Sequence, residues 1–185
     1  MSRLTDLKKL EAKRKRKMQL LLLGILMSID SEDELAPKTR QMSSDVLEEI
    51  KDIRKASFAI ADKYSEEQHR VLDNRKLIIA SAALYVVSHV IRRIAISDKP
   101  TFAEKVKEAM RGSEPIIERL TVSEIYQANV AKMIANHPKQ MLIWNAVNDG
   151  KTCSRCRSLD GKEFLAGDAP EYPHSNCRCV VDFKG

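Results

Sequence analysis

All four cysteines of the chain, Cys153, Cys156, Cys177 and Cys179, fall within the last 33 of its 185 residues, and His174, one of four histidines, lies among them. Three chemistries call for such a cluster: a metal site, a pair of disulfides, or a reactive cysteine centre. Cys153 and Cys156 form a C-x-x-C pair, and after 17 further residues H-x-x-C-x-C supplies His174, Cys177 and Cys179. A C-x-x-C followed after about 15–20 residues by a second ligand pair is the spacing of structural zinc sites. Tetrahedral zinc takes four nitrogen or sulfur ligands, with Zn–S near ~2.3 Å. A two-residue gap lets a tight turn aim two thiolates at one point. In an extended strand, residues i and i+2 face one side, so Cys177 and Cys179 can both reach the ion while Arg178 points away. Five candidates then compete for four positions, and spacing alone leaves the choice open.

The two other chemistries fit less well. Disulfides need an oxidising compartment and leave His174 without a role. A redox C-x-x-C normally opens a helix after a strand in an α/β unit, whereas the flanks here read as turns and strands. A Cys–His nucleophile would need a positioned partner, and no nucleophile, base and orienting group can be assembled. No enzymatic activity is therefore expected. Asp149 and Asp160 imitate a carboxylate pair, but each lies in a turn near glycine, where aspartate bonds to backbone.

The elements that must hold the cysteines come next. After Pro138, "MLIWNAV" reads as a short strand, "NDGKTC" as a turn, "SLDGKEF" as a hairpin around Asp-Gly, and "CRCVVDF" as a strand. This predicts three short antiparallel strands with the cysteines at their ends and turns. Trp144 and Phe164 are expected to pack a very small core. The rest reads as helix. Asp45 with Glu48 forms a capping box that opens a helix running to about Glu67. Leu72–Ile96 holds a nearly unbroken apolar middle from Leu77 to Val87, expected to be a core helix, with His89 at its boundary. Thr101 with Glu104 starts a short helix ending near Gly112. Ser113 with Pro115 starts the next one, which His137–Pro138 stops. The fold class is thus mainly α, a helical body with a small C-terminal three-stranded antiparallel β module clamped by a metal site.

The charge of +6 is unevenly spread. Residues 1–43 carry ten Lys/Arg against six Asp/Glu, while residues 144–185 carry six of each. A basic block from Lys8 to Lys17 precedes the mostly apolar residues 18–29. This imitates a signal peptide, but no small-residue cleavage site follows, and a dozen apolar residues cannot span a bilayer. A helix packed on this chain or on a partner is expected, and membrane contact by residues 18–29 is the lesser expectation. Lys13, Arg14, Lys15, Arg16 and Lys17 are candidate phosphate or DNA contacts. The expected division is a leader helix at 1–30, a polar link at 31–44, a helical body at 45–138 and a Cys/His zinc-binding module at 139–185.

"IWNAVNDGKTCSRCRSLDGKEF" with "PHSNCRCVVDF" resembles the C-terminal signature of the Mu F-like phage head-morphogenesis (minor head) proteins. The residues that carry the likeness are Trp144, Asp149, Cys153, Cys156, Leu159, Asp160, Gly161, Lys162, Phe164, Pro173, His174, Cys177, Arg178 and Cys179. Upstream, "RLTVSEIYQANVAKM" resembles the helix that leads into that module, with Glu124 at its Thr-Glu position and Ser123 where the pattern has Thr. The resemblance covers about residues 118–183. It implies a virion component inside the head near the portal vertex, made in the host cytoplasm. Its partners would be portal or capsid proteins and packaged DNA, and its role head assembly and genome packaging or delivery. The alternative is a zinc-ribbon DNA-binding protein without enzymatic activity, against which the neutral charge of the module argues.

Overall fold

A computed structural model describes residues 2–66, 68, 76–150, 152–170 and 179–184. The helices are α1 (Arg3–Leu26), α2 (Leu35–Lys63), α3 (Lys76–Ala95), α4 (Phe102–Asn136) and the short α5 (Ser154–Leu159), and the strands are β1 (Met141–Asn145), β2 (Glu163–Leu165) and β3 (Val180–Phe183). The protein is therefore mainly helical with one small antiparallel sheet, as its periodicities predict. The described residues divide between two compact units. One takes Met1–Glu11, Ile53–Leu72 and Val122–Gly185, and the other takes Ala12–Asp52 and Asp73–Thr121.

The second of these units is built of amphipathic helix. Met18, Leu22, Leu26 and Ile29 are buried at spacings of three and four residues, and Leu35, Met42, Val46 and Ile50 on α2 are buried at spacings of seven and four, again one helical face. Residues 18–29 thus spend part of their apolar surface on this chain's own core, and no described helix is long and apolar enough to cross a membrane. On α3 only one face is inside: Ile79, Ala83, Val87, Val90 and Ile94 are buried, while Leu84 and Tyr85 face solvent. The apolar run at 77–87 is therefore continuous in sequence without being buried all round.

Three helix boundaries depart from the sequence reading. Residues 35–44, expected as part of a link, are the first turns of α2. Pro37 is its third residue, where the missing N–H has no helical carbonyl to reach. Asp45 and Glu48 consequently lie inside the helix and not at its start. The expected break between Gly112 and Pro115 is also absent, and α4 runs through both. Ala109, Ser113 and Ile117 are fully buried around the proline, and burial of that face holds the helix across a site where propensity alone would stop it. Gly112 makes room instead of ending a helix. A Cβ there would overlap the Arg93 guanidinium, so the glycine admits a side chain of α3 to the α4 backbone. The start of α4 agrees with expectation, since the Glu104 N–H donates to Thr101 Oγ1 (3.3 Å). Its end agrees too, at Asn136 before His137–Pro138.

In the first unit, α4 from Val122 to Met133 is buried almost all round, polar residues included. Its polar groups meet α2. Arg54 pairs with Glu124 at 2.8 Å, both side chains under 5% exposed. Asn129 Nδ2 donates to the Ser57 carbonyl (3.1 Å), and Asp62 accepts from Asn136 Nδ2 (2.9 Å) and pairs with Lys132 (3.2 Å). The start of α1 joins the same unit. Lys63 and the Tyr64 hydroxyl both bond Asp6, and Arg3 donates to the Val181 carbonyl and to Asp182.

Candidate metal centre and family signature

The sheet order is β2-β1-β3, with both pairings antiparallel. Along β1, Leu142 and Trp144 are fully buried while Met141 is exposed, the alternation of a strand with one inner face. Trp144 pairs with Val181, also buried, and Leu142 pairs with Phe164 and Phe183. Trp144 is thus the packing centre of the module, and a base-stacking role would need a face it does not expose. Phe164 is half-buried.

This register decides where the cysteines go. Asn145, the last residue of β1, pairs with Val180, the first of β3. Cys179, next to Val180, is therefore at the same end of the sheet from which residues 146–153 leave β1. Cys153 and Cys156 follow that segment. The C-x-x-C does not sit in an open turn, as expected, but opens α5. Cys153 is its N-cap, and its Sγ accepts from the Cys156 N–H at 3.3 Å, the role usually filled by Ser or Asp. That N–H holds the Cys153 thiol below its ordinary acidity range, while the nearby Cys179 pushes the other way. Cys156 and Cys179 are buried, and no disulfide joins Cys153, Cys156 and Cys179 to one another. The strand-then-helix setting of the C-x-x-C is the one a redox pair uses. The sheet around it is wholly antiparallel, unlike the parallel α/β unit of those enzymes.

His174, Cys177 and Arg178 lie outside the described residues. Among the described residues, no three Cys, His, Asp or Glu side chains come together as a metal-ligand group. The three cysteines that are described share one end of the module and offer soft sulfur donors, the chemistry that suits zinc. Their chemistry fits the ion, and the other two candidates, His174 and Cys177, lie outside the described residues.

Asp160 and Asp149 serve turns, as their neighbours suggested. Asp160 accepts from the Ala146 N–H (2.8 Å) and from Asn148 Nδ2 (2.6 Å). These bonds, Asn148 first and then Ala146, hold its carboxyl below the usual range. Gly161 follows with φ of +72°, the left-handed region that favours glycine. Asp149 and Thr152 bond each other across the preceding turn. The Asp-Gly pair therefore ties the loop before the first two cysteines to the end of α5.

The basic block is placed less uniformly than its sequence implies. Arg14 pairs with Glu49 at 3.0 Å, Lys15 with Glu118 at 3.0 Å, and Lys17 with Glu49 and Asp52. Lys13 and Arg16 are exposed. Three of the five candidate phosphate contacts thus already face carboxylates. The buried Arg54–Glu124 pair was not legible as a site beforehand. Glu124 belongs to the recognised helix motif, but its partner lies 70 residues earlier. Elsewhere in the first unit, a cleft of about 660 Å³ lined by Tyr64, Glu66, Asn136, His137, Pro138, Lys139, Gln140 and Phe183 holds no cysteine. His137 closes one side by packing edge-on against Phe183, with 4.2 Å between ring centroids.

A long helix leads into a small three-stranded antiparallel module in which the C-x-x-C caps an inserted helical turn. Residues 97–182, just under half of the chain, match the family described as phage Mu protein F like protein. The match reaches upstream of the sequence resemblance and takes in all of α4. No curated protein and no solved structure gave a match.

Proposed function

We propose that the chain is a minor head protein of a tailed phage. In this reading it is a non-enzymatic structural component of the capsid interior, near the portal, acting in head assembly and in packaging or delivery of the genome. The family match over residues 97–182 carries it. The host cytoplasm is its site of synthesis and the virion head its destination. Portal or capsid proteins are its partners.

Its C-terminal module is held by one structural zinc ion on four of Cys153, Cys156, His174, Cys177 and Cys179. The placement of Cys153, Cys156 and Cys179 at one end of the sheet supports this. The ion supplies no reaction chemistry here. It ties the strand ends of a module whose own apolar core is only a few side chains deep.

The DNA-binding alternative has less support. The module is neutral, and Arg14, Lys15 and Lys17 already face carboxylates. Quantitative mass spectrometry of purified phage heads tests the head reading. The chain is expected at a few copies per head against hundreds for the major capsid protein. Its absence from heads, together with salt-dependent DNA binding by the isolated chain, would favour the alternative.

A further inference from the structure

One face of α1, continued by Met27 in the turn that follows it, carries an exposed stripe. Lys13, Arg16, Leu20, Leu23 and Met27 follow one another at spacings of three and four residues. At 3.6 residues per turn they fall within an arc of about 80° and run for about 21 Å. Leu20, Leu23 and Met27 are 57%, 37% and 62% exposed, while Met18, Leu22 and Leu26 on the opposite face are fully buried. The stripe is ordered along the helix, with two cations first and three apolar side chains after them. Its cations also differ from their neighbours. Arg14, Lys15 and Lys17 each face a carboxylate, whereas Lys13 and Arg16 form no ion pair among the described residues.

The geometry points to a docking seam for an amphipathic helix of another head protein. The apolar turns of that helix would pack on Leu20, Leu23 and Met27, and its carboxylates would meet Lys13 and Arg16. This inference rests on the head-protein reading above. Spacing of three and four is that of helix–helix seams, in which charges set partner and orientation. The lengthwise order of charge and apolar surface allows one orientation of such a helix.

Other occupants fit the pattern poorly. A second copy of α1 laid parallel would set Lys13 and Arg16 against their own equivalents, and laid antiparallel it would set them against leucines. A bilayer surface takes a broad apolar face with cations across from it. Here the flanking Leu21 and Ile25 are already half-buried, and the cations lie along the axis from the leucines. A nucleic-acid backbone would leave the three apolar side chains in contact with phosphate or water.

The test uses the full chain and the portal and major capsid proteins of the same phage, each co-expressed with it and then measured for affinity. Two variants are compared with the wild type, Leu20→Ser with Leu23→Ser, and Lys13→Glu with Arg16→Glu. Each pair is expected to weaken binding to one of the two proteins by about tenfold or more while the melting temperature of the free chain stays close to that of the wild type. The loss from the charge-reversed pair should shrink at high salt. Equal binding by wild type and both variants would overturn the seam and leave the head reading standing. Failure of the wild type to bind either protein would count against the head reading itself. Binding to phosphatidylglycerol vesicles, or self-association, that disappears in the variants would overturn the partner helix in favour of those occupants.

Discussion

At the scale of single residues, the module depends on side chains that close turns. Asp160 bonds Asn148 and the Ala146 N–H from the end of α5, and its carboxyl is held below the ordinary range. The sign of the pH dependence follows. A carboxyl whose folded value is depressed adds stability that is present above its unfolded value, near ~3.9, and is lost as pH falls through the folded value. Asp160→Asn should therefore destabilise the module at pH 6, and the difference should shrink progressively as pH falls below about 3.9. Fluorescence of Trp144, the chain's one tryptophan, reports the unfolding. An unchanged difference at both pH values would mean that the carboxylate charge is not what matters at this position. The turn role of Asp160 was readable from Asp-Gly alone, because the chemistry of that pair is local. Cys153 as a helix cap was not, since a thiol in the N-cap position replaces the residues by which helix starts are recognised.

At the scale of elements, the least expected feature is the polar contact between α2 and α4. Arg54 with Glu124, Ser57 with Asn129, and Asp62 with Lys132 and Asn136 occur in the same order along both helices, so these segments run side by side in one direction. Breaking a buried ion pair by removing one partner leaves the other charge unpaired, at a cost of about 3–5 kcal/mol. Arg54→Ala should lower stability by about that much in urea unfolding. Arg54→Met combined with Glu124→Leu should recover most of the loss, since matched apolar groups can replace such a pair with little cost. If the double variant is as unstable as the single, the contribution comes from the wider polar network and not from this pair. Helix content and the end of α4 at His137–Pro138 were legible, because periodicity and a proline act locally. The continuity of α4 through Pro115 and the early start of α2 were not. Burial of Ala109, Ser113 and Ile117 decides the former, and the position of Pro37 in a first turn decides the latter. Neither is visible without knowing where the core lies.

At the scale of the whole molecule, the cationic N-terminus illustrates why charge runs mislead. Lys13 to Lys17 read as one basic block, yet helical geometry distributes its members around α1. Arg14, Lys15 and Lys17 meet Glu49, Glu118 and Asp52, and the outward stripe keeps Lys13 and Arg16. A sequence count of charge cannot make that separation, because the acids that answer it come from α2 and α4. The C-terminal signature was legible for the opposite reason. Trp144, the Asp-Gly turn and the cysteines are close in sequence and specific in combination, and residues 97–182 match the family to which the signature pointed.

The module is proposed to hold one zinc ion on four of Cys153, Cys156, His174, Cys177 and Cys179, and a paired count of metal and thiols tests this most directly. Zinc is measured by elemental analysis on protein purified without added metal, and reactive thiols are measured after denaturation with chelator. About one zinc and four thiols per chain is the expected result, with Cys177→Ser lowering the zinc content and unfolding the module around Trp144. Absence of metal together with absence of reactive thiols would contradict it. Two disulfides would then hold the C-terminal strands, and the module would have to form under oxidising conditions.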